Sequence, residues 1–434
     1  MQIRYLRPAD VLALGFMTFA LFVGAGNVIF PPLIGLQAGQ HVWSAAAGFL
    51  ITAVSLPVLT IVALARTGGE LDSLSQPLGR RGAMLLAVLC YLAVGPLFAT
   101  PRTASVSFAV GVAGFSGDTV TARLAYSAVY FGLVALLSLY PGRLLDSVGK
   151  VLAPLKILAL AALGLCALCY PAGGVGPTLG EYREAAFGTG FEQGYLTMDA
   201  LGGLVFGIVI VNAIRSRGVS APRLLTRYAV IAALIAGLGL TLVYLSLFWL
   251  GAGSAAILPG GADNGAQILR AYVEHTLGGP GVALLSALIV LACFVTAVGL
   301  TCACAEYFSE RFSLGYRSLV LLLALFAFAV SNLGLTELIK LSLPVLVAVY
   351  PPCIVLVGHG LLARDRARRS PPLMLAMGTA LLFGMVDGAK AIGAHNVLTE
   401  AIGRVPLASL GLAWLLPVLA VALLARLVLA QGGD

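Results

Sequence analysis

The chain has 434 residues, 60% of them hydrophobic and only 10% charged, with a formal net charge of +8. Soluble domains carry about 25% charged residues, so the composition excludes a water-soluble globule, a disordered chain and a nucleic-acid binder. A polytopic membrane protein remains. Because the apolar runs are continuous and do not alternate, they predict an all-α protein rather than a β-barrel.

Twelve apolar segments fit the roughly 20 residues that a membrane-spanning helix needs. Most lysines and arginines lie between these segments, on the side that also holds the N-terminus. Since basic loops stay in the cytoplasm, we expect both termini there. In chain order, the predicted spans are residues 11–36, 42–65, 83–112, 120–139, 148–170, 187–215, 225–250, 281–305, 316–334, 341–362, 373–393 and 406–429.

Span one is interrupted at mid-membrane by two glycines, an asparagine and two prolines within residues 24–32. Glycine is a poor helix former, and proline cannot donate to the helical ladder. A second short helix that starts near Val28, with Asn27 as its N-cap, would accommodate both prolines in its first turns. The sequence favours this broken helix over the alternative, a kinked helix with a tight glycine face.

Span six has a similar interruption, with polar Glu192 and Gln193 before Asp199 and the pair Gly202-Gly203 after it. Discontinuous helices at corresponding positions of two halves are typical of transporter binding sites. We therefore predict one transmembrane domain, residues 1–434, built on an inverted repeat of five plus five spans. Its parts are residues 1–175, residues 176–365 and, outside the repeat, residues 366–434 with spans eleven and twelve.

A break inside a membrane helix supplies two kinds of binding group. The N-terminus of the second half-helix presents free N–H groups that suit a carboxylate, and the end of the first half-helix presents carbonyls that suit a cation. One break can thus hold the carboxylate of a zwitterion and a sodium ion. This is the chemistry of amino acid–cation symport.

Two charged residues lie within the predicted spans, away from any polar loop. An ionised carboxylate in lipid is costly, so Asp199 must face a cavity, a cation or an amine. We favour such a functional role for Asp199 over a structural salt bridge. For Arg102, deep in span three, we favour a structural role in which it pairs with backbone carbonyls or an acid.

The residues around the breaks resemble those of a known family, the bacterial branched-chain amino acid:cation symporters or BrnQ-type carriers, which have the leucine-transporter fold of the APC superfamily. The resemblance runs along essentially the whole chain. It implies uptake of leucine, isoleucine and valine across the bacterial inner membrane. The segments that carry it are residues 15–27, 30–32, 195–200, 206–213, 302–306 and 350–353.

The resemblance and the break chemistry together predict the site residues. Main-chain N–H groups near Ala25 and Gly26 would bind the substrate carboxylate, and Thr197 would bridge to a sodium ion. Span eight offers Val295-Thr296 where the fold usually has two hydroxyl residues in tandem. The expected substrate-binding residues are Gly24, Ala25, Gly26, Asn27, Thr197, Asp199, Ala200, Gly202 and Gly203. The expected sodium ligands are Ala20, Val23, Asn27, Thr197 and Thr296.

The coupling ion has two candidates. Carbonyl and hydroxyl ligands at a half-helix end favour sodium, a hard cation. Lys156 points to a proton instead, because it lies about 9 Å beyond Lys150 along span five and a buried ammonium can exchange a proton near neutral pH. A lysine that extends to the cytoplasmic interface is the alternative for Lys156.

Other function classes fit the sequence less well. There is no phosphate-binding G-x-x-x-x-G-K-[ST] motif, so an ion gradient or a partner must supply the energy. A membrane-embedded enzyme or a passive channel is a distant alternative. We expect no enzymatic activity and no cofactor besides the coupling ion. The expected partners are the substrates, the ion and the lipid bilayer, with no obligate protein partner and no nucleic acid.

Overall fold

The computed structural model describes residues 5–140, 144–362, 370–394 and 397–431. Within these ranges the protein is all-helical, as expected, and no strand occurs. The helices are α1 (Pro8–Phe22), α2 (Ala25–Ala38), α3 (Val42–Leu50), α4 (Leu56–Arg66), α5 (Leu71–Ser75), α6 (Gly79–Leu92), α7 (Ala99–Ser107), α8 (Ala113–Ser116), α9 (Val120–Ser138), α10 (Leu144–Cys169), α11 (Tyr182–Gly194), α12 (Asp199–Arg215), α13 (Pro222–Ala252), α14 (Gly265–Ser309), α15 (Tyr316–Ser331), α16 (Leu335–Leu362), α17 (Pro371–Ala391), α18 (Val397–Gly403) and α19 (Leu415–Gln431).

Several long helices contain local irregularities. A π-helical turn at Ile51–Ser55 joins α3 to α4, and similar turns at Ala93–Leu97 and Phe108–Val112 interrupt the helix that begins with α6. Pro96 lies in the second of these turns, where its missing N–H removes one helical hydrogen bond. A bend at Gly278 divides α14 into a short first part and a long second part.

Every predicted span overlaps a helix, but the number of membrane crossings stays a prediction. In the described residues, eight helical stretches are long and apolar enough to cross a membrane. Four more apolar helices are shorter, at 10–17 residues: Pro8–Phe22, Ile157–Cys169, Tyr316–Ser331 and Leu415–Ala425.

The helices pack as two groups that meet around the breaks. In the first group α13 packs against α1, α2 and α4, while α11 packs on α3 and α12 on α4. In the second group α14 packs against α7, α9 and α15. Contacts of α2 with α7 and α14 join the two groups, so the interrupted stretches lie at the interface between them.

Candidate functional site

A cavity of about 50 Å³ lies between the two helix groups. Both breaks line it, together with α7 and α14. A volume of this size holds only a few water molecules, so an amino acid must widen the site to enter. We call it the central cavity; its lining residues are Leu21, Phe22, Gly24, Ala25, Gly26, Asn27, Val94, Ala99, Arg102, Thr103, Thr197, Met198, Asp199, Gly202, Phe206, Thr296 and Leu300.

The first span is a broken helix, as expected, but the N-cap of its second half differs from the prediction. Helix α1 ends at Phe22 and α2 begins at Ala25, so the N-cap is Gly24 and not Asn27, and the helix starts before Val28. Asn27 instead folds back, and its Oδ1 accepts a hydrogen bond of 2.7 Å from the Gly24 N–H. The prediction was wrong because an asparagine can also stabilise a helix start from the third position, where its side chain accepts from the N–H of the cap residue.

The second break separates α11 from α12 through one 3₁₀ turn, Tyr195–Thr197, and Met198. Met198 adopts a left-handed backbone conformation with φ of 61°, which costs a residue with a Cβ roughly 1–2 kcal/mol. Thr197 Oγ1 donates to the Gly194 carbonyl at 3.0 Å and accepts from the Asp199 N–H at 3.4 Å.

Asn27, Asp199 and Tyr244 form a buried polar cluster that joins the two breaks to α13. Asn27 Nδ2 donates to Asp199 Oδ2 at 2.6 Å, and the Tyr244 hydroxyl donates to the same oxygen at 2.9 Å. Asn27 Nδ2 also donates to the Tyr244 oxygen. All three side chains are at most 4% exposed. These contacts of Asp199 are with neutral donors, and its carboxylate lines the central cavity.

Tyr244 was missed by the sequence analysis. It occupies an apolar stretch of α13, and nothing local distinguishes it from the other aromatic residues. Only the packing of α13 against α2 brings its hydroxyl to Asp199. A tyrosine in the middle of a predicted span is the one signal that could have pointed to it, since buried tyrosine hydroxyls need a partner.

Arg102 makes the expected contact with a backbone carbonyl. It is 2% exposed, and its guanidinium donates to the Leu196 carbonyl at the second break and to Ser342 Oγ at 2.9 Å. It also lies 5.1 Å from the centre of the Phe30 ring. The backbone-carbonyl contact is as expected, but the same residue lines the central cavity.

Most of the predicted substrate-binding and sodium-binding residues line the central cavity, but four of them do not. Gly24, Ala25, Gly26, Asn27, Thr197, Asp199, Gly202 and Thr296 line it. Ala200 and Gly203 lie outside its lining; at Gly203 a Cβ would come within 3.2 Å of Thr60, so this glycine serves close packing of α12 on α4. Ala20 and Val23, which were expected to bind sodium through their main-chain carbonyls, also lie outside the lining.

The remaining candidates are Thr296 and Lys156. The Thr296 hydroxyl donates to the Ala292 carbonyl of its own helix at 3.0 Å and keeps its acceptor lone pairs for the cavity. Lys156 lies in α10, but its side chain is outside the described residues. Its coupling role stays a prediction.

Two other cavities are larger than the central one. One of about 390 Å³ is lined by Asp72, Tyr91, Glu306 and Arg311 among others, and Phe206 lines both this cavity and the central cavity. The other, of about 160 Å³, is lined by Ser105, Asp118 and Arg123 among others, and shares no lining residue with the central cavity. Of these two cavities, the 390 Å³ cavity is therefore the one that adjoins the central cavity, at Phe206.

Comparisons with solved structures identify the fold. The chain matches the inward-facing conformation of Mhp1 with a TM-score of 0.62 at 14% identity, covering 100% of this chain and 96% of that one. It matches MhsT in complex with L-phenylalanine with a TM-score of 0.56 at 14% identity, covering 98% of this chain and 99% of that one. The leucine-transporter-like fold is therefore confirmed, while the details of the repeat stay a prediction.

Curated relatives are much closer in sequence. The chain is 61% identical over 415 residues to the branched-chain amino acid transport system 3 carrier protein of Pseudomonas aeruginosa, covering 95% of this chain and 94% of the relative. It is 59% identical to the branched-chain amino acid permease BrnQ of Escherichia coli, covering 97% and 95%. It is 39% identical to the permease BraB of Bacillus subtilis, covering 94% and 93%.

These relatives are named as carriers and permeases, which confirms that the chain is a transport protein and not an enzyme. The family model described as "Branched-chain amino acid transport protein" matches residues 7–431. The match spans both breaks, the Asn27–Asp199–Tyr244 cluster and Arg102. The chain belongs to the branched-chain amino acid transport protein family.

Proposed function

We propose that this protein imports leucine, isoleucine and valine by symport with sodium across a bacterial inner membrane, with both termini in the cytoplasm. The observation that carries this proposal is the Asn27–Asp199–Tyr244 cluster, which places one buried carboxylate where two interrupted helices meet. Relatives at 59% and 61% identity carry branched-chain amino acid names, and this supports the substrate class.

The geometry supports an amphipathic zwitterion as the substrate. The N-terminal N–H groups of α2 suit its carboxylate, and Asp199 suits its ammonium or a cation. Leu21, Val94, Phe206 and Leu300 form an apolar part of the same lining, which suits an aliphatic side chain. Leucine, isoleucine and valine differ by a methylene or its position, and such differences change binding by about 1–3 kcal/mol.

Sodium is the preferred coupling ion for two reasons. Helix α1 ends with the Val23 N–H bonded to the Phe19 carbonyl at 3.0 Å, and carbonyls at the end of a half-helix suit a hard cation. Thr197 and Thr296 add hydroxyl oxygens on the cavity wall, and Asp199 adds a negative charge. The proton alternative depends on Lys156 and has no further support.

Reconstituted vesicles test the function directly. Counterflow of labelled against unlabelled leucine is expected from a carrier, whereas a passive channel or an enzyme gives none. Without counterflow by any of the three amino acids, the transport proposal fails.

The coupling ion needs a second measurement in the same vesicles. Leucine uptake is measured with a sodium gradient at constant pH, and then with a pH gradient in the absence of sodium. We expect uptake only in the first condition, and we expect Lys156→Ala to retain it. Uptake driven only by the pH gradient and lost in Lys156→Ala would replace sodium with a proton.

A further inference from the structure

Arg102 is a buried cation in the wall of the central cavity. It is 2% exposed, lies on α7 in the second helix group, and reaches across to the second break in the first group. Buried charges are normally paired with an opposite charge, because an unpaired ion in a low-dielectric interior is costly. In the described part of the chain, no carboxylate lies within salt-bridge distance of Arg102.

The guanidinium retains unused donors. Of its five N–H groups, one donates to the Leu196 carbonyl and one to Ser342 Oγ. Its Nε is buried and has no hydrogen-bond partner in the described residues. A planar, charged donor set with free positions matches the geometry of a carboxylate.

Arg102 also lies beside the N-terminus of α2. A Cβ built on Gly26, the second residue of that helix, would come within 3.4 Å of Arg102 Nη1 and within 3.4 Å of the Leu196 carbonyl oxygen. The helix N-terminus and the guanidinium therefore present positive charge to the same side of the cavity. Asp199 presents a carboxylate to the same cavity, bonded to Asn27 and Tyr244.

We propose that Arg102 is a substrate-binding residue whose guanidinium binds the carboxylate of the transported amino acid, together with the N-terminal N–H groups of α2. The inference rests on the proposed function, since it needs an α-amino acid in the central cavity. With Asp199, it gives the cavity one buried charge of each sign, and this pattern matches a zwitterion. It excludes substrates that lack a carboxylate, whatever their side chain.

A purely structural Arg102 is the alternative. Its bonds to Leu196 and Ser342 join α7 to the second break and to α16, so its removal could loosen the packing without any role in binding. A structural role would weaken the binding of every ligand by a similar factor. A carboxylate contact would weaken only ligands that carry the carboxylate.

The test is equilibrium binding of labelled L-leucine to the purified full-length protein, with competition by unlabelled L-leucine and L-leucinamide. Leucinamide keeps the side chain and the ammonium but replaces the carboxylate with a neutral amide. The proteins are the wild type, Arg102→Gln, Arg102→Lys and the control Arg123→Gln. Arg123 pairs with Asp118 in the wall of the separate 160 Å³ cavity, so its variant is expected to bind leucine like the wild type.

We expect Arg102→Gln to weaken leucine roughly 10- to 100-fold, because a charged hydrogen-bond partner is lost, while leucinamide competition changes little. The leucine affinity of Arg102→Lys should lie between those of the wild type and Arg102→Gln. Leucinamide could fail to displace leucine from both the wild type and Arg102→Gln. In that case, retention of leucine binding in Arg102→Lys and its loss in Arg102→Gln support the proposal.

Three results would overturn it: unchanged leucine affinity in Arg102→Gln, equal weakening of leucine and leucinamide, or equal weakening of leucine in Arg102→Gln and Arg102→Lys. The wild type alone gives a fourth check that needs no variant to fold. If leucinamide competes there as well as leucine does, no carboxylate contact exists. A wild type that binds none of the three branched-chain amino acids refutes the proposed function instead.

Discussion

The two helix breaks solve the same problem in different ways. At the first, the free Gly24 N–H is satisfied by Asn27, three residues later in the same chain segment. At the second, the Leu196 carbonyl is satisfied by Arg102 and the Asp199 carboxylate by Asn27 and Tyr244, all from other helices. The first break is a local structure, and the second depends on the packed fold.

This difference assigns different tasks to the two breaks. A locally capped break keeps its shape when neighbouring helices move, so it can serve as a fixed receptor for a carboxylate. A break held by residues of both helix groups changes its hydrogen bonds whenever the groups separate. We therefore expect the hydrogen bonds of the second break to change more with the conformational state than those of the first.

The largest effect is expected from Asp199→Asn. The amide keeps the size but removes the only negative charge in the cluster, so leucine uptake should fall roughly 100-fold while the protein still inserts into the membrane. Uptake in vesicles and the amount of folded protein are measured together. Asp118→Asn, at an exposed ion pair in a different cavity, is the control. Wild-type uptake in Asp199→Asn would show that this carboxylate is structural.

The next effect is expected from Asn27→Ala. It removes the acceptor of the Gly24 N–H and a donor to Asp199, so uptake should fall more than tenfold and its dependence on sodium should weaken. Loss of a cap alone costs about 1 kcal/mol, too little to unfold the bundle. Asn264→Ala is the matched control, because it removes the N-cap of α14 without touching Asp199. Unchanged leucine affinity and ion dependence would refute the assignment of Asn27.

Gly26→Ala against Gly24→Ala tests the close approach at the first break. At Gly26 the new Cβ would lie 2.9 Å from Phe30 and 3.4 Å from Arg102, whereas at Gly24 its nearest neighbour is Asn27 Oδ1 at 3.4 Å. We expect Gly26→Ala to weaken leucine binding about tenfold and Gly24→Ala to weaken it less. Leucine affinities in the reverse order would contradict the placement of Arg102 beside α2.

The smallest effect is expected from Tyr244→Phe. Asp199 loses one donor and keeps the Asn27 amide, so leucine affinity should fall only a few-fold. Tyr228→Phe on the same helix is the control, because its hydroxyl bonds to the Leu6 N–H away from the site. A loss in Tyr244→Phe as large as that of Asp199→Asn would make the tyrosine, and not the amide, the main partner of the carboxylate.

Sequence reasoning located the first break and most of its residues. Glycine, asparagine and proline have strong local preferences, so the pattern over residues 24–32 indicates an interruption without any knowledge of neighbouring helices. The exact cap was misplaced, because an asparagine near a helix start can act either as the N-cap or as a third-position acceptor for the N–H of the cap residue, and only the folded backbone shows that Asn27 accepts from Gly24. Met198 gave no signal at all, since methionine rarely adopts a left-handed conformation and tertiary contacts impose it.

The sequence by itself determined the membrane environment, the helical class, the family and the two interrupted spans. These depend on composition and on preferences that act within a few residues. Only the tertiary structure decided which charges line the central cavity. Tyr244 and Arg102 are remote in sequence from both breaks, and their side chains reach Asp199 and Leu196 only because α13 and α7 pack against them. Long-range hydrogen bonds of this kind follow from packing, which no local pattern encodes.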